Sequence, residues 1–146
     1  VIDEEAVEQA VADADRLAHE FLRLAGEDDM ETLTRMACDV YQDRPHLLPV
    51  TMGIWHAWAR QAHGKDKVHR LIENMALNIA DAPVDDPRSR SAFCGLLFAM
   101  EDDDGRRVQA VWENVMQHGG WDTAVEVMSL MLGFTSYFMG WSSDSE

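Results

Sequence analysis

Apolar residues recur every three or four positions through most of this chain, and alternation is nowhere sustained. The pattern predicts helices and no strand. The first helix is expected over 4–24, with Val7, Val11, Ala14, Leu17, Ala18, Phe21 and Leu24 on one face. Asp3 is placed to cap it, and its early acids suit the positive end of a helix dipole. "GEDD" stops this helix and starts a second over 30–42, which turns Met30, Leu33, Met36, Ala37, Val40 and Tyr41 inward. Pro45 ends that run. A third helix is expected over 47–63, with Pro49 in its first turn, where no amide hydrogen is needed. Its apolar face is Leu47, Thr51, Ile54, Trp55, Trp58, Ala59 and Ala62.

"HGKD" breaks the pattern, and a fourth helix follows over 66–79 with Val68, Leu71, Ile72, Met75 and Ile79 inward. The stretch "DAPVDDPRS" has two prolines and three aspartates and predicts a loop. A fifth helix, 89–100, is apolar nearly all round. "EDDDG" punctuates as an acidic loop that caps the sixth helix, 106–118, whose Val108, Val111, Trp112, Val115 and Met116 face inward. The glycines of "HGG" suit a helix stop. A seventh helix runs from about 121 to 139, and the polar tail 142–146 is expected to fray. The expected fold is therefore an all-α, single-domain bundle of six or seven helices. Trp55, Trp58, Leu71, Leu96, Trp112, Met128 and Leu132 are expected in its core.

The seventh helix changes this picture. From 127 to 141 it carries no charge, although the whole chain has 27 Asp and Glu against 12 Lys and Arg, a formal net charge of -15. A membrane span needs about 20 apolar residues, and no cation flanks this run, so no span is expected. Large side chains cover about two-thirds of this helix's circumference, more than one neighbour hides. Either it is the centre of the bundle or one side meets another subunit. Phe134, Tyr137, Phe138 and Trp141 are the residues expected to bind a partner, most simply a second copy in a homodimer.

The acidic excess disfavours direct nucleic-acid binding and anionic membranes, and favours a basic protein partner. The acidic first residues carry no basic leader pattern, so a cytoplasmic location is expected, and the missing initial Met reads as processing or trimming. Cys38 and Cys94 sit among apolar residues and read as buried free thiols. His56 and His63 lie on one helix flank, too far apart to share a metal, and read as a solvated edge; His69 and His118 are isolated. No calcium-loop spacing, nucleophile elbow, phosphate loop or zinc motif occurs, so neither enzyme activity, cofactor nor metal is expected.

The expected role is a non-enzymatic interaction or regulatory module that self-associates through its C-terminal helix. Two alternatives use other features. Nine Met and five Trp would suit a pocket for a small hydrophobic ligand. The acids Glu4, Glu8, Asp15, Asp28, Asp29 and Glu31 would suit a DNA mimic that occupies a DNA-binding protein.

Overall fold

The computed structural model describes residues 4–81 and 87–139. Among them there are seven helices and no strand, so the all-α expectation holds. The helices are α1 (Glu4–Gly26), α2 (Met30–Asp43), α3 (Leu47–His63), α4 (Lys65–Asp81), α5 (Pro87–Glu101), α6 (Gly105–His118) and α7 (Gly120–Met139). No described helix is long and apolar enough to cross a membrane. The expected cap Asp3, the loop centre 82–86 and the tail 142–146 lie outside the described residues.

The expected ends move by one or two residues, for local reasons. Helix α5 begins at Pro87 rather than Ser89, because a proline is tolerated in a first turn that needs no amide hydrogen. The "HGKD" break shrinks to Gly64 alone, whose φ of +87 turns the chain so that α4 starts at the next residue. Gly120 likewise has a φ of +65.

The two acidic turns have the same construction. Helix α1 closes with Asp28 N–H on Ala25 O (3.1 Å) and Asp29 N–H on Leu24 O (2.9 Å). Helix α5 closes with Asp103 N–H on Met100 O (3.1 Å) and Asp104 N–H on Ala99 O (2.9 Å). Asp28 and Asp103 take left-handed φ values of 58 and 53, which aspartate tolerates better than most residues. The next aspartate then caps the following helix. Asp29 accepts from Thr32 N–H and Asp104 from Arg107 N–H, each at 3.2 Å.

The chain divides into two compact units, Val1–Trp55 and His56–Glu146, with the division inside α3. In the first, α1 and α2 form a hairpin. Its buried side chains include Ala14, Ala18, Phe21 and Leu24 of α1, Leu33 and Ala37 of α2, and Leu48, Met52 and Trp55 of α3. The Trp55 indole N–H donates to Ala18 O (3.0 Å). The Trp55 ring meets Phe21 at 6.2 Å and 60°, so α3 is pinned to α1 by both polar and aromatic contact. In the second unit α5 touches α4, α6 and α7, and α6 touches α7. This central place explains why α5 is apolar nearly all round: Phe93, Leu96, Leu97, Ala99 and Met100 are all buried.

Five of the seven expected core residues, Trp55, Leu96, Trp112, Met128 and Leu132, are buried. Trp58 and Leu71 are only half-buried. On α3 the expected Leu47, Thr51, Trp55 and Ala59 are buried, but Ile54 and Trp58 are half-buried and Ala62 is exposed, while Leu48, Met52 and His56, outside the expected face, are buried as well. Val7, Val11 and Met30, expected inward, are 49%, 49% and 43% exposed. Residues 4–9 are exposed throughout, so the first turns of α1 extend past the packed part of the hairpin. Both cysteines are free but half-buried rather than fully so. Burial still pushes the Cys94 thiol up, away from the reactive thiolate.

Candidate functional site

Two places concentrate side chains beyond what packing needs. The first is an open groove of about 930 Å³ along the α1–α2 hairpin. Its α1 side is Asp13, Arg16, Leu17 and Glu20, and its α2 side is Met36, Asp39, Val40 and Asp43, each set spaced i, i+3, i+4, i+7. That spacing is one continuous face of a helix. Leu17, Met36 and Val40 are half-buried, while Asp39 and Asp43 are exposed. Leu47, Arg44 and His19 complete the lining.

The charges of this groove are not equally engaged. Asp13 accepts from Arg44 Nη1 (2.7 Å), from Gln9 Nε2 (3.0 Å) and from Arg16. These bonds hold its carboxyl down at about 2. Both guanidiniums of the lining are thus tied to one carboxylate. Glu20 is paired with Arg23. Asp39 and Asp43 have no ion pair among the described residues.

The second place lies in the other unit, around Glu101 at the end of α5. Its side chain is 2% exposed. The carboxylate takes His56 of α3 on one oxygen (Nε2 to Oε2, 2.6 Å) and His69 of α4 on the other (Nδ1 to Oε1, 2.8 Å). A carboxylate offers only acceptors, so the ring nitrogens facing it carry the hydrogens. Arg60 Nε stands 4.0 Å from Oε2 and its Nη1 3.5 Å from Asp103, while His69 Nε2 is 3.1 Å from Glu73. One buried carboxylate therefore joins three helices. Burial pushes the His56 pKa below its ordinary value; the bond to Glu101 opposes this, and nearby Arg60 reinforces it.

No known family matches this sequence, and neither curated proteins nor solved structures provided a match. The chemistry must therefore be read from these two arrangements. Among the described residues no three His, Cys, Asp or Glu side chains are placed to hold one metal ion. The Glu101 cluster brings its donors to a shared carboxylate, not to a shared vacant point. None of its members lines either the α1–α2 groove or the smaller one of about 590 Å³ between α5 and α6.

The expected partner-binding residues fare differently. Phe134 is 1% exposed, within the chain's own interior, and so offers no surface to a partner. The side chains of Tyr137 and Phe138 and the whole of Trp141 lie outside the described residues. On the described part of α7, Ala124, Val127, Met128, Met131, Leu132 and Thr135 are also buried, and Ser129 and Gly133 are exposed. Mostly buried is what the width of its apolar arc predicted.

Sequence reasoning missed both arrangements. His56 reads from the sequence as a solvated edge and Glu101 as part of an acidic loop, yet both are buried and hydrogen-bonded to each other. The available signal was that His56 follows Met52 by four residues, on the buried row. The groove is hidden for the opposite reason: Leu17, Met36 and Val40 read as core from the sequence because they are apolar, but they are half-buried.

Proposed function

We propose that this protein is a non-enzymatic helical interaction module, and that the α1–α2 groove is its binding surface. The observation that carries this reading is the groove itself. It is an open groove lined by one face each of α1 and α2 and by Leu47 of α3, with half-buried Leu17, Met36 and Val40 beside exposed Asp39 and Asp43. An amphipathic helix laid there would bury its apolar face as in a three-helix bundle. An enclosed apolar cavity would instead favour a small hydrophobic ligand; this groove is open. The Glu101 cluster, which lines neither groove, is accounted for as a joint between helices, and that favours a non-catalytic reading.

Self-association through the C-terminal helix stays part of the proposal only through Tyr137, Phe138 and Trp141, since Phe134 is already covered. Hydrogen exchange tests the groove directly. Three amphipathic peptides with a common Leu face and a polar face of Lys, Gln or Glu would be added in turn. Slowed exchange in α1 and α2 with at least one of them is the expected result. No protection there with any of the three would contradict the interaction reading.

A further inference from the structure

We infer that the partner of the α1–α2 groove is a basic amphipathic helix of another protein, docked with its apolar face on Leu17, Met36 and Val40 and its cations against Asp39 and Asp43. This rests on the reading of the groove as the binding surface and specifies what enters it.

The inference comes from the distribution of engaged and unengaged charge. The cations of the lining, Arg16 and Arg44, are both committed to Asp13, so they are poorly placed to receive an acidic partner. Asp39 and Asp43 are exposed, one helical turn apart, and lack an ion pair among the described residues. A helix carrying Lys or Arg at i and i+4 matches that separation, because successive turns of both helices rise by the same amount. Met36 and Val40 sit beside these aspartates on the same face of α2. The partner must therefore present apolar and basic residues on adjoining stripes, which defines a basic amphipathic helix. Half-exposed Met adapts to different apolar partners.

Other occupants fit less well. A second copy of this chain brings the same acidic excess, with a net charge of -15 on each copy. Nucleic acid brings phosphates to an acidic rim. A basic helix gains on both counts, since the field of the whole protein also steers it inward.

The test is fluorescence anisotropy with a labelled Leu/Lys amphipathic peptide of about 18 residues, long enough to form a helix on binding. Its Leu/Glu counterpart serves as the second probe. The full chain is compared with D39K/D43K, and with E4K/E8K, which makes the same change of charge on the exposed first turns of α1. The expected result is binding of the Leu/Lys peptide and not the Leu/Glu peptide, with affinity that falls as salt rises. D39K/D43K should weaken it about tenfold or more, and E4K/E8K by less than about threefold. Equal loss in the two variants would show attraction by net charge alone and overturn the inference. Equal binding of both peptides, confined to the groove by hydrogen exchange, would also overturn it while leaving the groove as the binding surface. Binding of neither peptide would overturn it as well. A Leu/Gln peptide that still protects α1 and α2 would then keep the interaction reading, and no protection by any peptide would remove both.

Discussion

His56 is 3% exposed on a helix whose sequence gives little warning of a buried polar group. Its burial is tolerated because Glu101, 45 positions later, meets it at 2.6 Å. No local pattern encodes a pair so distant, and only its place on the row of Met52 and Ala59 hinted at it. A pH dependence follows. The folded pKa of His56 lies below its ordinary 6.5, so the unfolded chain takes up this proton first. The contribution is complete above about 6.5 and is lost progressively as pH falls toward the lower folded value. Urea unfolding of the parent and of His56→Gln at several pH values should show a flatter profile for the variant between about pH 8 and 5.5. Parallel profiles would contradict a neutral buried His56. Glu101→Ala should destabilise the fold by roughly 3 kcal/mol, because it leaves a buried donor without its acceptor. Asp13 acts in a different range: its carboxylate bonds contribute fully above the ordinary 3.8 and are lost as pH falls through about 2.

Helix number and most of the helix order were legible, because 3.6-residue periodicity and turn residues are local. Rotation of each helix was less so. The expected arc of α3 is right at Leu47, Thr51, Trp55 and Ala59, but it is too wide at the large apolar Ile54 and Trp58, which are half-buried, and it leaves out the buried Leu48, Met52 and His56. Groove residues were missed for a related reason, since periodicity locates an apolar stripe without saying whether anything covers it. The capping aspartates were legible and lead to a simple measurement. Asp29→Ala and Asp104→Ala should each lower stability by about 1 kcal/mol in urea unfolding. Asp28→Gly should not, because glycine takes the left-handed conformation with no Cβ penalty. Gly119→Ala carries a different risk: its new Cβ would stand 2.1 Å from Thr123 Oγ1, and Thr123 is 2% exposed. Displacing that packed side chain should cost about 1–3 kcal/mol.

At the scale of the whole molecule the charge dominates. Arginines near acidic stretches of the chain are themselves engaged: Arg107 meets Asp102 at 3.1 Å and Arg88 donates to His118 O at 2.6 Å. No salt-dependent shift of duplex DNA is therefore expected in an electrophoretic mobility assay at physiological salt. Light scattering separates the two fates of the C-terminal helix. A dimer made monomeric by Tyr137→Glu supports self-association there, and a parent monomer leaves α7 as an interior helix. The interaction reading itself is met most directly by following methyl resonances of the full chain as the Leu/Lys peptide is titrated in. Leu17, Met36, Val40 and Leu47 should shift together and saturate at one peptide per chain, with Met131 and Leu132 of α7 unmoved. Small shifts spread over every acidic surface, with no saturation, would contradict a binding groove between α1 and α2.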